Sequence, residues 1–264
     1  MKILNFLFSR SKQEQDKPIR DKLKTRKDFE RVLAEDLDIM ETTKARMDTA
    51  KNINLYMYRS LSYSYILILQ SKYSVDAKID ELRDIYIKSM HYFLQAFNKR
   101  NPIYADILNY VSLGVLLNIP DDNFRQLIDY VKQMDKQAKP SGWTPDLLLW
   151  FMLNSRMKEQ EKQKYAETLA YPRLYNGLYK VIQAPNAAAA KDALNKYLDR
   201  WYNLNSNAPW YNSHLKDNSY RGYWAWEVAA VAKIMHIDDS DLKNNQYYPY
   251  DMVHWADNET TAKK

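Results

Sequence analysis

The sequence predicts an all-α protein, a bundle of antiparallel helices with no sheet. Apolar residues recur at helical spacing along most of the chain, and runs with the clean alternation of strands are missing. Only four glycines and nine prolines occur in 264 residues. A strand-rich fold needs many turn glycines, so this scarcity favours helices joined by short turns. A chain of this length buries a substantial core as one large domain or two small ones.

The first helix is expected over residues 28–50, where Phe29, Val32, Leu33, Leu37 and Met40 share a face between charges. A tyrosine-rich second helix follows over 53–72. Ser74 and Asp76 are plausible caps for a third helix, with Ile79, Leu82, Ile85, Tyr86, Met90, Phe93, Leu94 and Phe97 as a wide apolar stripe. Asn101-Pro102 breaks it. A short apolar helix, 104–117, runs into Ile119-Pro120-Asp121-Asp122, and Phe124, Leu127, Ile128, Val131 and Met134 begin the next.

Lys139-Pro140-Ser141-Gly142 is the strongest break in the chain. It divides an N-terminal helical domain, 1–138, from a C-terminal one, 139–264, the two expected to pack as one compact unit. Beyond it the pattern predicts helical segments at 145–157, 158–169 (charged), 172–182, 187–201 and 221–236, with a loop at 203–218. Pro172 suits a first helical turn. Leu116 to Asp121 aligns with Ile234 to Asp239 at constant offset: in both, an apolar helix ends and an isoleucine follows in the turn. A repeated helical hairpin and the reuse of one good turn both explain this.

Composition excludes several classes of chemistry. There is no cysteine, which removes disulfides, thiol nucleophiles and thiolate metal sites, and a reducing cytoplasm fits. The apolar run in Met1 to Phe8 is too short for a signal-peptide core, and no apolar run approaches the length of a membrane span. A soluble, cytoplasmic protein with no membrane partner is expected. The net charge of +6 is spread through the first two thirds, and its densest run, Lys17 to Lys27, is interrupted by Asp21. That pattern reads as a solvated lead-in to a helix rather than a nucleic-acid stripe.

Neither a metal nor a cofactor is expected. His91, His214, His236 and His254 show no paired ligand spacing, and His236 suits a helix C-terminus. The Asp238-Asp239-Ser240-Asp241 turn lacks the glycine and distal glutamate of a calcium loop. Phosphate-loop and nucleophile-elbow motifs are also missing. Glu227 alone demands explanation: on a helix its same-face neighbours would be Tyr223, Ala230, Val231 and Ile234. With no second carboxylate or histidine beside it, an anchor accepting hydrogen bonds from a tyrosine, a tryptophan or backbone amides outweighs a catalytic acid or base. No catalytic residues are expected. Among the 22 tyrosines, those near Trp201-Tyr202, Trp210-Tyr211 and Tyr247-Tyr248-Pro249-Tyr250 are the best candidates for an interface.

The C-terminal segment resembles the PoNi family, immunity proteins of polymorphic nuclease toxins. The resemblance rests on Tyr220-x-Gly222-Tyr223-Trp224-x-Trp226-Glu227, Ala229-Ala230, Ile237-Asp238-Asp239-Ser240 and Tyr247-Tyr248-Pro249-x-Asp251. Arg20-Asp21 and Tyr73-Ser74, ahead of Ile79, Asp80 and Leu82, are similar to the family's N-terminal domain, although Val75-Asp76 stand where a glycine is usual. The resemblance implies a non-enzymatic cytoplasmic protein that binds a cognate nuclease, commonly a DNase delivered by a secretion system such as type VI, encoded by a neighbouring gene. Its shared residues Gly222, Tyr223, Trp224, Glu227, Asp238, Asp239, Tyr248, Pro249 and Asp251 are read as scaffold.

A basic nuclease cleft would call for an anionic patch. Glu35/Asp36/Asp38/Glu41, Asp76/Asp80/Glu81/Asp84 and Asp238/Asp239/Asp241 are the acidic surfaces available, and Asp76, Asp80, Glu81 and Asp84 form the candidate toxin contact. A helical nucleic-acid-binding or adaptor module is the alternative, with nucleic acid the less expected partner. A homodimer stays open.

Overall fold

The computed structural model describes residues 18–97, 103–136, 143–162, 164–216 and 218–256. Among them are ten α-helices and no strand, so the all-α expectation holds. The breaks expected at Asn101-Pro102 and Lys139 to Gly142, and the segment Met1 to Phe8, lie outside the described residues. The chain forms two compact units. Residues 1–100 with 212–223 make the first, and residues 101–211 with 224–264 make the second.

Three helices build the first unit: α1 (Arg26–Thr49), α2 (Leu55–Val75) and α3 (Ile79–Ala96). Thr25 starts α1 through a reciprocal capping box with Asp28, and the Asn54 side chain caps α2 by accepting from the Met57 amide at 3.0 Å. α2 packs on both α1 and α3. Its inward positions include Ser62, Ser64 and Ser71, whose small side chains let a neighbouring helix approach, and Ser89 of α3 donates to the Ser62 carbonyl at 2.7 Å. Leu33, Met40, Leu61, Tyr65 and Ile68 form one core cluster.

The caps expected for α3 work differently. Ser74 lies inside α2, its hydroxyl bonded to the carbonyls of Gln70 and Arg221. Asp76 instead ends α2 in the left-handed conformation, φ 94°.

In the second unit run α4 (Tyr104–Leu116), α5 (Asp121–Lys136), α6 (Leu147–Asn154), α7 (Pro172–Ile182), α8 (Ala187–Leu204), α9 (Trp226–Met235) and α10 (Tyr250–His254). α9 contacts α4, α6, α7, α8 and α10 and is buried all round from Trp226 to Ala232. A helix apolar on every side has no other stable place than an interior. The alanines at 229, 230 and 232 keep it thin enough for its neighbours to close around it.

The charged helix expected over 158–169 does not form. Among the described residues of that stretch only a 3₁₀ turn, Glu159–Glu161, is helical, followed by irregular chain and bends. A segment polar all round gains nothing by burying a face. It serves as a strap: Tyr165 stacks on Trp150 at 3.8 Å, and the Thr168 carbonyl and Ala170 amide bond to the start of α6.

Left-handed residues other than glycine end three helices in the same way. After Asp76, Asn118 and His236, the next amide reaches back five residues: Ala77 to Lys72, Ile119 to Gly114 and Ile237 to Ala232. Ile119 and Ile237 plug the turns, as their aligned sequences suggested. The third occurrence at Asp76, outside that alignment, favours reuse of a turn over a repeat.

Two substitutions separate wanted from unwanted glycine. His236 is exposed at φ 52°, so His236→Gly is expected to raise stability by about 0.5–1 kcal/mol in urea unfolding. Gly177 of α7 faces the Tyr197 ring of α8, where an added Cβ would lie 2.6 Å from a ring carbon. Gly177→Ala should therefore destabilise by about 1–2 kcal/mol despite its better helix propensity.

Candidate functional site

The segment singled out by sequence divides at its middle: Gly222 and Tyr223 belong to the first unit, and Trp224 onward belongs to the second. Residues 221–225 are irregular, and α9 begins only at Trp226. The expected helix over 221–236 thus starts five residues later, because backbone groups of that stretch are engaged elsewhere. In the first unit, Gln70 donates to the Gly222 carbonyl at 2.7 Å and Ser74 to the Arg221 carbonyl at 2.8 Å. Gly222 has φ 107°, a conformation that a residue with a Cβ rarely adopts.

Arg221 grips Asp36 with two parallel bonds of 2.9 and 2.7 Å, both side chains being nearly removed from solvent. Burial raises the Asp36 carboxyl, and the guanidinium pulls it back. Asp36 is accordingly a buried anchor rather than part of an acidic surface on α1. Beside it the Tyr220 hydroxyl donates to Asp21, which also accepts from the amides of Leu23 and Lys24 at 2.8 and 3.0 Å. The Tyr223 hydroxyl accepts from the His214 amide at 3.0 Å and lies 3.2 Å from Ser213 Oγ.

Glu227 occupies the first turn of α9, not mid-helix, so Tyr223 is not its helical neighbour. Its Oε1 accepts from Trp201 Nε1 at 2.6 Å. A carboxylate at a helix N-terminus gains at most about 2 kcal/mol from the dipole. Burial outweighs that gain together with the hydrogen bonds and lifts the group to about 7.

Asp239 is also buried and leaves the acidic-surface list: Tyr248 donates to it at 2.7 Å, and His254 Nε2 lies 2.8 Å away. Pro249, buried, precedes α10. Asp238 is exposed and paired with Lys191 at 2.8 Å, which holds its carboxyl well below the ordinary range. Asp251 is exposed too. The nine signature residues therefore comprise seven buried ones and two surface aspartates.

Asp76, Asp80, Glu81 and Asp84 are all exposed, the last three on one side of α3. Arg20 pairs with Asp76 at 3.2 Å and Arg83 lies 4.0 Å from Asp80, while no ion pair engages Glu81 or Asp84 among the described residues.

Sequence reasoning missed two anchors in the second unit. Asp146 caps α6 and accepts from Tyr104 at 2.8 Å, the Leu149 amide at 2.7 Å and the Ala170 amide at 2.7 Å. Asp135 accepts from the indoles of Trp143 and Trp150 at 2.8 and 2.7 Å. The available signal was an aspartate directly before the apolar run Leu147 to Leu149. Among the described residues no cluster of histidines and carboxylates could hold a metal ion, and no helix is long and apolar enough to cross a membrane.

Two family models match in tandem. One for PoNe immunity proteins (PoNi), N-terminal, matches residues 11–129, and its C-terminal companion matches residues 144–252. The chain belongs to the PoNi family. The C-terminal PoNi match takes in every signature residue named above. A solved structure, that of protein PA2201 from Pseudomonas aeruginosa, has a TM-score of 0.71 to this chain at 18% identity. It covers 97% of this chain and 95% of the other, and at that identity it speaks for the fold alone. No curated protein matches the sequence.

The Glu227 environment makes stability depend on pH. A carboxyl raised in the folded state favours folding while protonated, so its contribution is complete below about 4.5 and is lost as pH rises through about 7. The difference amounts to about 3 kcal/mol. Asp21, Asp135 and Asp146, raised by burial, act with the same sign. Urea unfolding should show wild-type stability falling between pH 5 and 8, with Glu227→Gln losing about 3 kcal/mol less over that window. Parallel curves for the two proteins would refute the assignment.

Proposed function

We propose that the protein binds a cognate nuclease toxin, a DNase made by the same bacterium and encoded by a neighbouring gene, and neutralises it in the cytoplasm. What carries this reading is the tandem PoNi match, which spans most of the chain. Inhibition is stoichiometric: the protein covers the toxin and catalyses nothing. The buried carboxylates suit that role, because Glu227, Asp21 and Asp146 each accept from structural donors.

The polar side of α3 is the surface offered to the toxin's phosphate-binding groups. Asp80, Glu81 and Asp84 project from the first two turns into solvent, with Asp76 at the preceding helix end. Such a patch steers encounter with a basic cleft even when the whole inhibitor carries +6, since steering depends on the local field.

Co-expression with the adjacent nuclease should protect cells, and the purified pair should form a one-to-one complex. Lack of both protection and complex would remove the proposal. Glu81→Lys with Asp84→Lys should lower the association rate about 10-fold at low salt and flatten its salt dependence, leaving dissociation little changed.

A further inference from the structure

The second unit gathers five aromatic side chains from three separate stretches onto one surface. Tyr202 stacks with Tyr211 at 4.5 Å and with Tyr247 at 5.4 Å, while Trp210 stacks on Trp201 at 5.4 Å. Trp201 is buried and fixed by Glu227, whereas the other four rings are half-buried. Around them the chain changes character: residues 201–211 and 244–250 contain no Asp, Glu, Lys or Arg, in a protein that is 27% charged. Asparagine, serine and glutamine fill the spaces instead, with Asn203, Ser206, Asn207 and Asn244 exposed. Rigid aromatics among small amides are the composition of protein-recognition surfaces, combining contact area with adaptable hydrogen bonding.

The backbone is already set for that use. Asn205 donates through its side chain to the Trp201 carbonyl at 2.8 Å, and the amides of Ala208 and Tyr211 bond to the carbonyls of Asn205 and Ala208. The Tyr247 amide bonds to the Asn245 side chain, and the Tyr247 carbonyl accepts from Ala225. A loop ordered in advance loses less entropy on binding.

We infer that this patch is a second, charge-poor contact surface for the toxin, an inference that rests on the proposed function and specifies how the toxin is held. Charge complementarity chooses its target. A neutral aromatic surface pays to desolvate a basic phosphate-binding cleft and returns no ion pair, so it docks on an uncharged part of the toxin outside that cleft. Division of labour follows: the α3 face governs encounter, and the aromatic patch governs residence. A sugar ring would instead call for a bare aromatic face, yet Tyr202 is stacked with two neighbours.

The test uses the full chain and the nuclease domain encoded beside it, with association and dissociation rates measured at two salt concentrations. Trp210→Ala with Tyr211→Ala should raise the dissociation rate at least 30-fold while association changes less than threefold. Because those rings also pack internally, Asn203→Glu with Asn207→Glu provides a second probe on exposed positions that leaves folding intact. It should raise dissociation at least 10-fold with unchanged thermal unfolding. A wild-type complex that tolerates the two glutamates overturns the patch alone. Absence of any wild-type complex overturns the proposed function and the patch with it. Retention of the wild-type chain on an insoluble polysaccharide, abolished by Trp210→Ala, assigns the patch to sugar and overturns the inference.

Discussion

A carboxylate cannot leave water without donors to replace it, and this protein buries one after another. The side-chain donors are mostly aromatic: Tyr220 for Asp21, Tyr104 for Asp146, Trp143 and Trp150 for Asp135, Trp201 for Glu227, and Tyr248 for Asp239. Arg221 serves Asp36. An aromatic donor brings a large apolar body with one polar tip, so it fills core volume and satisfies the carboxylate together. That double duty gives the many tyrosines and tryptophans a structural purpose. Removing one member of such a pair leaves the other buried and unsatisfied, a loss of about 3–5 kcal/mol for a charged group.

These bonds join segments that helix packing alone leaves undirected. Asp21 and Asp36 receive donors from adjacent residues, Tyr220 and Arg221, which seats the 212–223 segment within the first unit in a single register. Glu227 ties the start of α9 to α8 and thereby fixes Trp201 beneath the aromatic patch. The chemistry that holds the scaffold thus also sets the position of the surface inferred to hold the toxin.

The helices were legible in sequence where an apolar stripe had a partner to bury against, as at Phe29 to Met40 or Phe124 to Met134. Local pattern failed where distant groups outbid it. Residues 221–225 run straight into the apolar pattern of α9, but Gln70 and Ser74 claim the carbonyls of Gly222 and Arg221 from far away in sequence. Glu227 stood out because its surroundings were apolar, and its Oε1 accepts from the Trp201 indole. Asp36 could not stand out, since it sits among other charges on α1 and only Arg221, 185 residues on, gives it a reason to be inside. The aromatic patch was half visible: its residues were named, but nothing in the sequence placed Tyr247 against Tyr202.

The first unit is discontinuous, and its two parts leave the ribosome at different times. Its three helices end by residue 96, but the segment that completes it starts at Asn212. At roughly 5–20 residues per second the gap between them takes on the order of 10 s to synthesise. Throughout that interval Asp21, ahead of α1, and Asp36, within it, are without Tyr220 and Arg221. The first unit therefore carries a built-in delay, set by chain order rather than by any folding barrier.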